Sequence, residues 1–448
     1  VVVDSVFLNA KAYLKGQIVD CGIAIEEGKI EKIGRETNLP QADTKIDLHG
    51  LLVLPGLIDG HVHLRDEDKA YKEDFGSGTA AAAAGGFTTV LDMPNNEPVT
   101  MSAKTLRNRI QIARRQLRVN VGLYSEFPQN LSEITEVVAA GAVAFKFFMG
   151  NQVGGVNVDD DAAIEVAFKT VAPHKLPIAV HAEDHVMLMA NECQLQRAHK
   201  IAPIDYLRAH REDVELSAIQ RLLKLSAGTD VRLHFCHVTS KEGLTAIAQA
   251  KRAARKVTCE VTPNHLLLSS DELLRVGSML LMAPPLRDRA HVDALWRGLE
   301  DGSVDTIGSD HAPHTLVEKS AANVWAVKVG VPGLETTLPL MLTLVRKNKL
   351  SIDQLVTLLS AKPAEIYGLT GRGILEAGKP ADLTIIDYNR QFKIDPSKFK
   401  SKAKFSPYSG WDVYGQVART IVNGEVVYEE GEIIAKGGVG TIICGGSV

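Results

Sequence analysis

Apolar and polar positions follow two textures along the chain. Near both ends the apolar residues come in short β-type runs punctuated by turn residues. Examples are Gly22-Ile23-Ala24-Ile25, Lys29-Ile30-Glu31-Lys32-Ile33, Ala381 to Asp387 and Thr420 to Tyr428. Glu26-Glu27-Gly28-Lys29 reads as a hairpin turn, and Asn423-Gly424 is a strong signal for another. Neither end alone has the apolar surface for a stable domain. The pattern therefore predicts one small β-sandwich domain built from residues 1–52 and 371–448, with residues 53–370 inserted between them.

That middle segment alternates β-rich runs with helical stretches. Strands are predicted to end near His63 and at Gly86 to Met93, Val119 to Glu126, Ala142 to Phe148, Pro177 to His181, Val231 to His237, Lys256 to Val261 and Ser303 to Ser309. Helices are predicted at Gly76 to Ala84, Ile164 to Val171, Val214 to Leu225 and Lys241 to Arg255. Eight such repeats predict an α/β fold, a (β/α)₈ barrel of the TIM type. His61, His63, Asn95, Lys146, His181, His237 and Asp310 all fall at or just past a strand's C-terminal end, the face on which barrels build their sites. A doubly wound sheet would gather its ligands at one crevice instead.

In Asp59-Gly60-His61-Val62-His63-Leu64-Arg65, alternation puts the two imidazoles on one face, suited to a divalent metal. Arg65 shares their parity and is placed to hold an anion. Lys146 lies inside the apolar run Phe145 to Met149. A buried amine resists protonation, and a neutral amine can take up carbon dioxide to form a bridging carbamate; the bland alternative is a lysine snorkelling to solvent. His181 and His237 end two further strands, with His185 and His234 as rivals. Parity sets Phe235 and His237 on one face and His234 on the other, so a single inward histidine is expected there. Asp310 can serve as ligand and proton carrier. Arg65, Asn95 and His314 together can clamp a carboxylate. Four histidines, a lysine and an aspartate from five strand ends make a two-metal centre, which lowers the pKa of a shared water.

With 45% hydrophobic residues, 23% charged residues and a formal net charge of -4, the chain shows no bias toward nucleic acid or a membrane surface. Five scattered cysteines without C-x-x-C spacing point to a reducing compartment. No apolar run is long enough to cross a bilayer, and there is no secretory pattern. A cytoplasmic enzyme is expected.

These motifs resemble the amidohydrolase superfamily, and within it the cyclic-amidohydrolase group of dihydroorotases, allantoinases and dihydropyrimidinases. The likeness runs from Gly56-Leu57-Ile58-Asp59 to Gly378-Lys379-Pro380-Ala381-Asp382-Leu383. It implies two divalent metal ions on His61, His63, carboxylated Lys146, His181, His237 and Asp310. Zinc suits such ligands, while cobalt or manganese would also fit. His63-Leu64-Arg65, Met93-Pro94-Asn95 and Asp310 to His314 resemble the dihydroorotase branch, whose substrate carries a carboxylate. The implied reaction is the reversible, metal-dependent cyclisation of N-carbamoyl-L-aspartate to dihydroorotate in pyrimidine biosynthesis, by a homodimer or homotetramer. Ala283, Val329 and Gly330 align with substrate-contacting positions. Two departures stand out: Asp66-Glu67-Asp68-Lys69 replaces the usual Glu-Pro-Gly, and Ala283 replaces an Asn. The alternatives are an allantoinase, a dihydropyrimidinase or hydantoinase, or a non-catalytic scaffold, the last disfavoured by the complete ligand set.

Overall fold

The structure is a computed structural model that describes residues 2–445, so Val1 of the β-type run expected at Val1-Val2-Val3 lies outside the described residues. Eight parallel strands follow one another in chain order within one sheet. They are β1 (Leu57–Val62), β2 (Phe87–Asp92), β3 (Asn120–Ser125), β4 (Ala144–Phe148), β5 (Pro177–His181), β6 (Arg232–Phe235), β7 (Val257–Val261) and β8 (Thr306–Ile307). The sheet nearly closes. Beyond β8, His311 bridges Val62, its carbonyl accepts from His63 N at 2.8 Å, and Asp59 of β1 accepts from Ser309 N at 3.2 Å.

The predicted helices form at Phe75–Ala84, Asp161–Val171, Glu212–Leu225 and Lys241–Arg252. Three of them start where a short polar side chain satisfies free amides of the first turn. Asp74 accepts from Ser77 N, Asp160 from Ala162 N and Ala163 N, and Ser240 from Gly243 N. The outward residues of the strands, among them Phe145, Ile178, Leu233 and Phe235, pack with Ile164, Phe168, Ile219, Leu222 and Ile247 from the helices. This apolar layer holds the barrel rigid around its mouth.

The small β-sandwich expected from the two termini takes the form of a single nine-stranded sheet. Its central strand, Leu52–Pro55, pairs in parallel with Val2–Leu14 and antiparallel with Leu383–Lys393. Gly56 then passes the chain into β1; a Cβ there would lie 2.2 Å from Thr88 Oγ1. Both predicted hairpin turns form, at Glu27-Gly28 and Asn423-Gly424, each with two positive φ values. The last described strand, Ile442–Ile443, leaves the small sheet and pairs with Val121 and Gly122 of β3. It covers the stretch of β3 that precedes the β4 pairing, which begins only at Tyr124. Among the described residues, no helix is long and apolar enough to cross a membrane.

Candidate metal centre and active site

His61, His63, His181, His237 and Asp310 line one cavity of about 620 Å³ at the C-terminal mouth of the barrel. The same cavity is lined by Arg65, Asn95, Ala283, His314, Val329 and Gly330. His61 Nε2 and His63 Nε2 lie 3.4 and 3.3 Å from the same Asp310 Oδ1. The His181 and His237 rings are 4.8 Å apart, and His237 stands 5.2 Å from His61.

Lys146 sits beneath this group. Fully buried, it donates from Nζ to Cys236 Sγ at 3.2 Å and stands 5.0 Å from the ring centre of Phe148, which itself lines the cavity. A snorkelling lysine would reach solvent, and this one does not.

Each ring is aimed by a polar neighbour. Glu260, on β7, stands 2.8 Å from His61 Nδ1, which leaves Nε2 for Asp310. Asn95 Oδ1 accepts from His63 Nδ1 at 2.7 Å, and Glu183 pairs with His181 Nε2 at 2.8 Å while its other oxygen holds His210. Orienting contacts of this kind fix tautomer and ring plane in metal sites. Burial, with Arg65 adding to it, pushes His63 down to about 3 against the pull of Asp310. His237 is likewise held well below the usual range, by burial first and then by His181 and Lys146. Both are neutral imidazoles, the form that ligates. Burial alone would raise Asp310, but His61 and His63 hold it below the usual carboxylate range.

This donor set fits divalent cations. His181 Nδ1 faces His237 Nε2 at 3.1 Å, where a shared cation would take a lone pair from each ring. The backbone is strained at the site. His237, Asp310 and Arg65 adopt φ of 36°, 46° and 56°, the left-handed region that favours glycine.

The anion end of the cavity is formed by Arg65 and His314. Lys72 Nζ donates to His314 Nδ1 at 3.2 Å, so the neutral ring carries its hydrogen on Nε2 and donates it to the Val329 carbonyl at 2.9 Å. Arg65 Nη2 approaches that Nε2 at 3.3 Å, and its buried Nε has no partner. A donor of this strength without an acceptor is costly unless a ligand supplies one.

At β6 both histidines, His234 and His237, face inward, where alternation predicts a single one. Lys146, Ala179, His234 and Thr258 stand in register across β4 to β7, so His234 also looks into the barrel, one layer below the cavity. It is fully buried, 2.9 Å from Thr258 Oγ1 and edge-on to Tyr367. Both histidines point inward because β6 ends at Phe235 and the positive φ of His237 breaks the alternation. The other rival, His185, lies outside the cavity against Asp159 at 2.9 Å.

Sequence reasoning missed Glu260, Glu183, Cys236, Lys69 and Lys72. Two of these had a readable signal: Glu260 is a carboxylate inside an apolar strand, and Glu183 follows His181 by two residues.

Known proteins similar to this chain are cyclic-amide hydrolases by name. The chain is 37% identical to the dihydroorotase of Methanosarcina acetivorans, over 98% of this chain and 94% of that one. It is 35% identical to the L-hydantoinase of Paenarthrobacter aurescens, over 98% of both chains. Among solved structures, the L-hydantoinase (dihydropyrimidinase) from Arthrobacter aurescens superposes with a TM-score of 0.94 at 34% identity, covering 99% of this chain and all of that one. With residues 52–427 matching the amidohydrolase family and a nitrogen-rich metal cradle at the barrel mouth, the chain belongs to that family.

Proposed function

We propose that the chain is a dihydroorotase, interconverting dihydroorotate and N-carbamoyl-L-aspartate in pyrimidine biosynthesis. The observation that carries this reading is the buried, unpartnered Nε of Arg65 beside His314, at one end of the cavity that holds the metal cradle. A ring bearing a carboxylate supplies a charged, two-oxygen acceptor there, whereas an uncharged ring offers only the weaker neutral carbonyl.

His61, His63, His181, His237, Asp310 and Lys146 in carboxylated form would hold two divalent ions, zinc by preference. When bound, such a pair polarises the amide carbonyl and makes hydroxide available near neutral pH. The rest is the chain's own work. Arg65 and His314 hold the carboxylate and so fix the ring's position. Asn95 aims His63 and keeps its amide hydrogens as donors. Asp310, ionised, takes the proton of the attacking water and delivers it to the ring nitrogen as the C–N bond breaks; in the biosynthetic direction it returns that proton. The five free cysteines support a reducing, cytoplasmic setting.

A second reading, hydantoinase, is favoured by the TM-score of 0.94 to the L-hydantoinase. Turnover of zinc-loaded protein on dihydroorotate, allantoin, hydantoin and dihydrouracil separates the two. Preference for dihydroorotate is expected. Preference for any uncharged ring overturns the reading.

A further inference from the structure

The loop after Arg65, where the family's Glu-Pro-Gly is replaced, is built into the anion end of the cavity. Its base is closed by Asp66 N donating to the Glu73 carbonyl at 3.0 Å, and the Asp66 carboxylate accepts from Glu67 N and Phe75 N. Glu67 is held by Arg109 at 2.9 Å. Positive φ at Arg65, Asp66 and Glu67 turns the chain sharply, and Lys69 and Lys72 beyond the turn line the cavity. From this frame two lysines reach the other two members of the clamp. Lys69 Nζ donates to the Asn95 carbonyl at 2.8 Å; Lys72 Nζ donates to His314 Nδ1 and to Glu318 Oε1, the latter at 2.7 Å.

We propose that this loop is the specificity element for a carboxylate-bearing substrate, with Lys69 and Lys72 as its working residues. Lys72 positions His314 by fixing the tautomer that keeps a hydrogen on Nε2, and both lysines add positive charge around Arg65. The inference rests on the reading of the substrate as a ring carboxylate and extends it to residues outside the expected clamp.

The charge balance supports it. Arg65, Lys69, Lys72 and Lys328 all line the cavity, and Glu318 is the carboxylate that pairs with Lys72. Burial, then the proximity of Arg65, lowers Lys69; burial also lowers Lys72, against the pull of Glu318. Cations crowded in this way gain from a bound anion more than a single exposed arginine would. A purely structural lysine–glutamate pair would affect every ligand alike.

The test uses the full metal-loaded chain and two planar probes, orotate and uracil, which share a ring and differ in the carboxylate. Orotate binding is read by calorimetry and dihydroorotate kinetics by kcat and KM, for the parent, Lys69→Met, Lys72→Met and Lys72→Arg. Each methionine variant is expected to weaken orotate about tenfold and to raise KM for dihydroorotate more than it lowers kcat. The deficit should narrow between 0.05 and 0.5 M NaCl, and Lys72→Arg should recover most of it. Folded, metal-loaded Lys72→Met that binds orotate like the parent overturns the proposal. So does an equal loss of orotate and uracil affinity. If Lys72→Met does not fold, the half-buried Lys69 carries the same test. A parent chain that prefers dihydrouracil to dihydroorotate overturns the carboxylate reading itself, and shows this before any variant is made.

Discussion

Asp310 answers to two histidines through one oxygen, and the proposed mechanism asks it to carry a proton as well. Asp310→Asn keeps an oxygen toward the metals but cannot accept that proton. It should lower kcat by roughly 10²–10⁴ with the metal content unchanged; substantial residual turnover in the metal-loaded variant removes the role. Arg65→Ala deletes a charged hydrogen-bond donor and should raise KM for dihydroorotate at least about tenfold. Unchanged saturation would sink the clamp. Glu260→Gln leaves His61 Nδ1 a weaker partner and should weaken metal binding by roughly 10–100-fold in a chelator competition. Retention of parent affinity would show that Glu260 serves only the fold. At this scale the sequence was most legible where a motif set a polar residue in or just past a predicted strand, as at Lys146 and Asp310. It was least legible where the role comes from a neighbour across the barrel, as for Cys236 under Lys146, because that proximity exists only once the strands are in register.

Strands β4 to β7 show how far periodicity carries an element. Lys146 lies within β4 itself, where alternation holds, and in register with Ala179 of β5 it faces the barrel interior. Alternation misplaces His234 because the argument carried strand geometry two residues past the end of β6. Strand ends are where backbone alternation stops and where barrel chemistry begins, so the rule fails at the positions of greatest interest. A second element has a pH signature. Glu335, in the first turn of the helix Leu334–Arg346, accepts from Lys400 N and Ser401 N, and burial pushes its carboxyl up to about 7 despite those amides. The folded chain keeps this proton up to about pH 7, whereas the unfolded chain gives it up near the ordinary glutamate value of 4.5. Its contribution therefore makes stability fall as pH rises from about 4.5 to about 7, by on the order of 3 kcal/mol at most, with no change above. Glu335→Gln keeps an acceptor and should flatten that part of the profile. Urea midpoints at pH 5 and 7.5 that shift equally in parent and variant would refute this.

The whole molecule is held together by polar residues that join distant parts of the chain. Asn120 of β3 accepts from Asn423 Nδ2 at 2.9 Å and from Thr441 Oγ1 at 2.8 Å, while its own amide donates to the Thr88 carbonyl at 3.2 Å. Asn120→Ala removes all three contacts, although Asn423 Nδ2 keeps the Val439 carbonyl and Thr441 is exposed to water, and should cost about 0.5–1.5 kcal/mol, seen as a drop of a degree or more in apparent Tm. An unchanged Tm would mean that water replaces the side chain at no cost. The pairing of both termini was legible from their matching β texture. The docking of Ile442–Ile443 on β3 was not, because a two-residue strand carries no periodicity.

The strand Leu52–Pro55 takes one neighbour from a segment some forty residues before it and the other from a segment that begins at Leu383. During synthesis it emerges early and waits for most of the chain to leave the ribosome before its second edge is covered. A chain that stops before Leu383 keeps that edge bare, and a bare strand edge is a template for pairing with other chains.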